Sequence, residues 1–426
     1  MKRILVISWY FPPINSSEGL VTYKLLSNSK YEYDVFTQNS NESWSYGKSN
    51  DLKIPNNIKC IISSTNNMEE YKNEAINYFQ DNIDKYDIIM TRSMPEVSHI
   101  IGLEIKKIKK DITWIASFGD PIANNPFTLM AINNNNPYSL NERYKRVMGI
   151  RKIISPKRMI KSFFYKRRMK NNYNLYVKQN NILQSKIIHN CNYVIYNSIN
   201  QKDYMLKDYA DKNLLDKKTI VLPHSFDEKL YKKSKIKNDK LIFSFIGHLD
   251  DIRTPHLLFA AISKLKEYDN KLSKKVEFNF YGNLSDKEKL YLLDNELLDI
   301  VKIRKSVDYI KSLEIMEAAD WLIHIDANIS KIINKNIFFA AKIADYIGAK
   351  TNILGITMID GTSADILRNY NALCIENSIE EIYNYLYLII YEEYKNKLNL
   401  EYREEFNAIN VAKEFDKYIK NILGGN

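Results

Sequence analysis

Short apolar runs alternate with helical patterns in both halves of this chain, and this alternation limits its possible folds more than any other feature. The runs have the length of single strands and are rich in Ile, Val, Phe and Tyr, as expected of strands buried on both faces of a parallel sheet. They are ILVI (4–7), YDVFTQ, IKCIIS, YDIIMTRS, ITWIASF and CNYVIYNS in the first half, and LIFSFIGHL, VEFNFYG, IVKIRKSV, DWLIHID and ILGITM in the second. The pattern predicts an α/β protein with two doubly wound parallel sheets.

The length of the chain, 426 residues, is too great for one ordinary hydrophobic core. The polar stretch from Asp227 to Lys240 is the best candidate for a linker. We therefore predict a first Rossmann-like domain over residues 1–226 and a second over 227–400, with a C-terminal helix at about 400–426 that packs back on the first. Two such domains would face each other across a ligand cleft.

The first strand runs into Pro12 and Pro13, which end it, and a helical pattern begins after Ser16. The free N–H groups of that helix would face the carboxyl edge of the sheet, where open α/β folds bind ligands. An ordinary βα turn explains the same residues equally well.

Several classes of site and location are disfavoured by what the sequence lacks. The cysteines, Cys60, Cys191 and Cys374, are far apart and form no CxxC motif, which argues against a disulfide framework or a zinc site. No GxGxxG follows the first strand of either half, which weakens the interpretation as a dinucleotide oxidoreductase. The sequence also contains no DxD triplet, so a metal is not implied. No apolar stretch reaches the ~20 residues of a membrane span, and the N-terminus has no signal-peptide pattern. We expect a cytoplasmic protein without cofactor or metal.

The positive charge of the chain is concentrated in residues 143–170, which contain twelve Lys and Arg and no Asp or Glu. The rest of the chain then has 50 basic and 51 acidic residues. Large apolar residues are interleaved with the cations, and this combination favours peripheral contact with an anionic membrane surface through Lys166, Arg167, Arg168 and Lys170. A nucleic-acid patch and a solvated basic loop are the alternatives, and we expect no nucleic acid.

A second cluster of polar residues follows the first strand of the second half, in FIGHLDDIRTPHLL. His248 and Arg253 flank an acidic turn, and Pro255 occupies the expected first turn of a helix predicted from about His256 to Tyr268. Two cationic side chains beside a helix N-terminus suit a diphosphate. The alternative is a surface ion pair between Arg253 and the neighbouring Asp250 or Asp251.

Lys342 and Asp345 are three residues apart on a predicted helix, in AAKIADYIGAK. This spacing places them on one face, where both could reach the same ligand. A carboxylate can accept hydrogen bonds from two sugar hydroxyls and an ammonium can bind phosphate. An exposed helical salt bridge is the simpler alternative.

These motifs, taken in order with TRSMPEVSHIIGLEIKK, WIASFGDP, AADWLIHIDA and GTSADIL, resemble glycosyltransferase family 4. The resemblance implies a GT-B fold of two Rossmann-like domains and a retaining transfer from a nucleotide sugar. It implies that His248 and Arg253 bind the donor diphosphate, that Lys342 assists them, and that Asp345 binds the ribose. It adds Gly19, which would allow close backbone approach, and Gly247, Thr362 and Ser363 to the donor site.

At three positions this sequence departs from the family pattern. The first glutamate of the family's E-x7-E pattern would fall at Ile337, His248 stands where an arginine is usual, and Asp345 replaces a glutamate. These departures favour the alternative of a GT-B protein that binds a membrane or nucleic acid without turnover.

The activity that we expect is transfer of a sugar to a hydroxyl of a glycan or lipid-linked acceptor, in surface polysaccharide or lipopolysaccharide synthesis. Arg253, His248 and Lys342 would stabilise the leaving diphosphate. Asp120, in ASFGDP, would orient the acceptor hydroxyl, although a turn or capping aspartate fits the same position. The enzyme would be a hexosyltransferase on the inner face of the cell membrane.

Overall fold

The computed structural model describes residues 3–14, 16–39, 52–128, 130, 156–232, 238–250 and 252–424. The strands of the first sheet are β1 (Arg3–Ser8), β2 (Tyr33–Thr37), β3 (Ile58–Ile62), β4 (Tyr86–Arg92), β5 (Thr113–Ser117), β6 (Tyr193–Tyr196) and β7 (Thr219–Val221). Those of the second are β8 (Leu241–Ile246), β9 (Val276–Tyr281), β10 (Val301–Arg304), β11 (Trp321–Ile325), β12 (Asn352–Thr357) and β13 (Leu373–Glu376).

Helices connect these strands, as parallel pairing requires. In the first domain they are α1 (Ser17–Ser27), α2 (Met68–Asp81), α3 (Val97–Ile108), α4 (Pro156–Asn190), α5 (Ile199–Leu206) and α6 (Lys212–Asp216). In the second they are α7 (His256–Tyr268), α8 (Leu272–Lys275), α9 (Asp286–Asp294), α10 (Tyr309–Ala318), α11 (Ala341–Ala349), α12 (Thr362–Asn369) and α13 (Ile379–Tyr391), and the chain ends with α14 (Leu400–Arg403) and α15 (Ala408–Gly424).

Both sheets are parallel and doubly wound, with strand orders β3-β2-β1-β4-β5-β6-β7 and β10-β9-β8-β11-β12-β13. The predicted fold class is therefore confirmed, and each predicted strand is present. The sequence reading missed only β7 and β13 among the strands of the described residues. Both are short and lie at the edge of a sheet, where the apolar signal of a doubly buried strand is weak.

The strand order reverses once in each sheet, between β1 and β4 and between β8 and β11. Helices leave the sheet on opposite faces at such a point, which opens a crevice beyond the carboxyl ends of the strands. The two crevices of this molecule line one cleft.

The two domains share a hydrophobic core, because one buried cluster contains residues of α1, α10, α11 and α15. The C-terminal helix is joined to the first domain through Asp416, whose carboxylate accepts hydrogen bonds from Ser29 Oγ at 2.5 Å and from the backbone N–H of Lys30 at 3.0 Å. The boundaries predicted for the domains, 1–226 and 227–400, stay a prediction.

The basic segment falls partly outside the described residues, which omit 131–155. Its remainder opens α4, a helix of 35 residues, on which the side chains of Phe164, Arg167 and Arg168 are exposed. The side chains of Lys166 and Lys170 are not among those described. Among the described helices, none combines the length and apolar composition needed to cross a membrane.

Candidate active site

A cleft of about 360 Å³ lies between the two sheets and is lined from both domains. The first domain contributes Ser17, Glu18, Val21, Gly119, Asp120, Phe127 and His224, from the start of α1 and the segments that follow β5 and β7. The second contributes Gly247, His248, Arg253, Asp326 and the N-terminus of α11 with Lys342, among others. The structure thus brings together the predicted residues Asp120, Gly247, His248, Arg253 and Lys342.

Two glycines allow the second-domain wall to close tightly around its cations. Gly247 follows β8 and Gly282 follows β9. Their φ values, +135° and +147°, are ones that residues other than glycine rarely adopt. A Cβ on Gly282 would lie 2.1 Å from the carbonyl oxygen of Gly247, and a Cβ on Gly247 would lie 2.7 Å from Lys342 Nζ. Gly247 therefore acts by leaving room for the ammonium of Lys342.

Lys342 is the second residue of α11, and its ammonium is buried against the second sheet. Nζ lies 4.3 Å from the centre of the Phe245 ring and has no hydrogen-bond partner among the described residues. Burial, with the charge of Arg253, lowers the pKa of Lys342 to about 7. An unpaired cation at a helix N-terminus is a strong attractor for an anion.

Arg253 is the second cation of this wall, and the alternative of an ion pair with Asp250 is not what the structure contains. Asp250 Oδ1 accepts a hydrogen bond from the backbone N–H of Arg253 at 2.7 Å, while the side-chain Nε of Arg253 is buried without a partner among the described residues. Asp251 lies outside the described residues. His248 lines the cleft with an exposed side chain.

Asp326 and His324 lie beneath these cations at the end of β11, and sequence reasoning did not select them. Asp326 accepts a hydrogen bond from Asn336 Nδ2 at 2.8 Å, and burial raises its pKa to about 6 despite the nearby charge of Arg253. Burial lowers the pKa of His324 well below its ordinary value, so it is neutral. The available signal was a carboxylate at the carboxyl end of a buried strand, in LIHID.

The first-domain wall holds two carboxylates, of which only Asp120 was predicted. Arg92 Nε donates to Glu18 Oε2 at 2.7 Å, and Arg92 Nη1 donates to Ser117 Oγ at 3.0 Å. Burial, reinforced by the charge of Glu18, raises the pKa of Asp120 to about 7. Burial also raises the pKa of Glu18 in spite of Arg92. Glu18 could have been noticed because it opens a helix that follows the first strand.

Gly19, Thr362 and Ser363 do not line the cleft. Gly19 packs on the loop after β1, since a Cβ there would lie 3.2 Å from the backbone N of Phe11. Thr362 Oγ1 accepts a hydrogen bond from Asn200 Nδ2 of the first domain at 3.1 Å, and Ser363 Oγ donates to the carbonyl of Phe338 at 3.4 Å. Their donor-binding roles stay predictions, and their observed contacts are structural.

Asp345 does not share a ligand-facing surface with Lys342, contrary to the expectation from their spacing. Its Oδ1 accepts hydrogen bonds from Lys24 Nζ of α1 and from the hydroxyl of Tyr309, both at 2.9 Å. The side chains of Lys24 and Asp345 are 1% and 9% exposed. Asp345 is therefore half of a buried ion pair that joins the two domains, located behind the cleft wall that Tyr309 forms.

No family model and no curated protein matches the chain. Similar solved structures include sucrose-phosphate synthase from Thermosynechococcus elongatus, with a TM-score of 0.65 and 12% identity over 100% of both chains. The lipopolysaccharide outer core galactosyltransferase WaaB has a TM-score of 0.57 and 11% identity over 99% of both chains. UDP-GlcNAc 2-epimerase from Methanocaldococcus jannaschii has a TM-score of 0.53 and 10% identity over 100% of both chains. At these identities the likeness establishes the GT-B fold.

Proposed function

We propose that this chain is a glycosyltransferase that takes its sugar from a nucleotide-diphosphate donor. One observation carries the proposal: Lys342 Nζ, at the N-terminus of α11, and Arg253 Nε, just before α7, are both buried at the interdomain cleft without hydrogen-bond partners among the described residues. Leaving charged groups unpaired in a protein interior is costly unless a ligand of opposite charge completes the site. A diphosphate has the charge and the oxygen acceptors to do so.

The chemistry of this proposal is electrostatic. When the bond from the anomeric carbon to the donor phosphate breaks, negative charge grows on the leaving diphosphate. Arg253, Lys342 and the N-H groups of α11 are held in place beforehand, so that they stabilise this charge without reorganisation. His248, on the same wall, offers one further donor. Asp120, across the cleft, orients the acceptor hydroxyl.

The finer assignments rest on the resemblance to family 4. That resemblance implies retention of anomeric configuration and a hexosyl donor. A glycan or lipid-linked acceptor in surface polysaccharide or lipopolysaccharide synthesis fits that family, and one of the similar structures is a lipopolysaccharide galactosyltransferase. We propose a cytoplasmic location for the enzyme.

The donor assignment is tested by calorimetry with UDP, GDP, ADP and dTDP, followed by release of the matching diphosphate from nucleotide sugars. We expect one nucleotide to bind and Arg253→Ala to lose that binding. If none binds the folded protein, the proposal is wrong. Binding without release of diphosphate in the presence of acceptors would support the alternative of a non-catalytic GT-B protein, which the buried Ile337 at the place of a family glutamate favours. A change at C2 of UDP-GlcNAc without transfer would indicate an epimerase.

We also propose peripheral attachment to the anionic cytoplasmic leaflet through residues 143–170, whose described part is the start of α4. The helix has nine Lys and Arg and no acidic residue between Pro156 and Asn190, and its first half exposes an aromatic side chain, Phe164, beside Arg167 and Arg168. Each cation near such a surface contributes up to ~1 kcal/mol. Replacing Lys166, Arg167, Arg168 and Lys170 with serine should reduce co-sedimentation with anionic vesicles, whereas neutral vesicles should bind neither protein. Equal recovery of wild type in the supernatant with and without anionic vesicles would contradict the attachment.

A further inference from the structure

The first-domain wall of the cleft presents carboxylate oxygens that no described residue uses. Glu18 Oε2 is held by Arg92, but Oε1 accepts no hydrogen bond from a described residue. A Cβ on Gly119 would lie 2.5 Å from this Oε1, so the carboxylate of Glu18 rests against the residue that precedes Asp120. The carboxylate of Asp120 likewise accepts no hydrogen bond from a described residue. Two neighbouring carboxylates therefore have free acceptor oxygens toward the cleft.

The two carboxylates share the charge of one first-domain cation, Arg92, whose Nε pairs with Glu18 Oε2 at 2.7 Å. Among the described lining residues of the first domain there is no lysine or arginine. Arg92, behind them, is 5% exposed and already donates to Glu18 and Ser117. The cleft is thus electrically polarised, with cations on the second-domain wall and acidic groups opposite.

A third group on the acidic wall points independently to a ligand. His224 lines the same cleft, is 5% exposed and has an Nδ1 atom without a hydrogen-bond partner among the described residues. Burial holds the pKa of His224 well below its ordinary value, so the ring is neutral and can donate or accept one hydrogen bond there. A buried polar atom without a partner is costly, and a ligand hydroxyl would satisfy it.

We propose that this wall is an acceptor subsite for an uncharged, hydroxyl-rich sugar, and that it excludes phosphorylated acceptors. Glu18 and Asp120 accept hydrogen bonds from sugar hydroxyls, and His224 Nδ1 makes a third polar contact. A phosphate monoester placed against the same oxygens meets like charge, because Arg92 is already paired with Glu18 and the donor diphosphate occupies Arg253 and Lys342 in the loaded protein. This inference rests on the proposed transferase function and names the class of acceptor for its site.

The test uses saturation-transfer NMR and titration on the full chain, saturated with the nucleoside diphosphate that calorimetry selects. The probes are the methyl glycosides of glucose, galactose, mannose and N-acetylglucosamine, each paired with its 6-phosphate. We expect at least one neutral glycoside to bind at least about tenfold more tightly than its 6-phosphate. Glu18→Gln and Asp120→Asn should each lower the affinity for that glycoside about tenfold and reduce its affinity advantage over the 6-phosphate. Glu104→Gln, the same chemical change on the exposed face of α3, should leave the glycoside affinity and the advantage over the 6-phosphate unchanged.

Each outcome decides the inference. Equal or tighter binding of a 6-phosphate overturns it, and so does a nucleotide-loaded protein that binds no glycoside of the panel. Unchanged glycoside affinity in both carboxylate variants, with nucleotide affinity intact, overturns the roles of Glu18 and Asp120. Retained nucleotide affinity also verifies that each variant is folded. If wild type binds no nucleotide, the transferase proposal itself fails, and the acceptor assignment falls with it.

Discussion

Replacing Asp345 with alanine should destabilise the whole protein, because it would leave the ammonium of Lys24 buried without a counter-ion. The two groups are 2.9 Å apart, and the Lys24 side chain is 1% exposed. Bulk water therefore does not reach this ammonium in the folded protein. The same oxygen accepts a hydrogen bond from the hydroxyl of Tyr309, so this buried donor would lose its partner too.

The magnitude follows from which groups remain after the change. Removing one member of a buried ion pair costs about 3–5 kcal/mol, since the remaining charge stays desolvated. Removing both charges is far less costly, because the desolvation penalty disappears with them. We expect Asp345→Ala to lower the free energy of unfolding by about 3–5 kcal/mol, and Lys24→Met combined with Asp345→Asn to recover most of that loss.

Urea denaturation followed by circular dichroism measures these differences. The control is Glu104→Gln, which breaks a pair with Lys107 whose side chains are 39% and 69% exposed and should cost less than about 1 kcal/mol. A loss below about 1 kcal/mol for Asp345→Ala, or a double variant no more stable than Asp345→Ala, would refute the reasoning. Nucleotide affinity of the same variant tests the ribose-binding role that the family resemblance implies.

Three further predictions concern the second-domain wall. Arg253→Ala should remove roughly 1.5–3 kcal/mol of transition-state stabilisation, which lowers kcat/KM for diphosphate release. An unchanged kcat/KM in folded protein would show that Arg253 is not part of the site. Because the pKa of Lys342 is about 7 and only its protonated form attracts the diphosphate, nucleotide affinity should fall by up to about tenfold per unit between pH 7 and 9. Lys342→Met should flatten this dependence of nucleotide affinity on pH, measured by calorimetry. An equally steep dependence in the variant would show that another group titrates. Gly282→Ala places Cβ 2.1 Å from the Gly247 carbonyl oxygen and should lower Tm and nucleotide affinity together, whereas loss of neither would contradict the tight packing.

The fold was predictable from the sequence because its strongest signals are local. A helix predicted at about 256–268 is observed at His256–Tyr268, where the preceding Pro255 marks the start of the helical pattern and Asp269 ends it. Apolar runs of strand length likewise identify buried parallel strands without knowledge of their neighbours. The convergence of Arg253 and Lys342 was predictable for a related reason, since both follow strands whose carboxyl ends share one edge of the sheet.

The roles of Asp345, Thr362 and Glu18 were not predictable, because they depend on partners distant in the chain. Helical spacing places Asp345 near Lys342, but it does not show that Lys24, 321 residues away in sequence, occupies the space in front of it. Thr362 similarly contacts Asn200 of the other domain. The significance of Glu18 depends on the arrival of Arg92 from β4 and of Asp120 from the end of β5.

The attachment of α15 to the first domain has a consequence for truncation. A premature stop codon near residue 400 would leave every strand of both sheets in the shortened chain. That chain would nevertheless lose Val411, Phe415 and Ile419 from the shared core, together with the carboxylate that Ser29 and Lys30 bind. A gene shortened by about 6% at its end would therefore encode an aggregation-prone chain rather than a trimmed but folded protein, since apolar surface left bare on a folded domain promotes association.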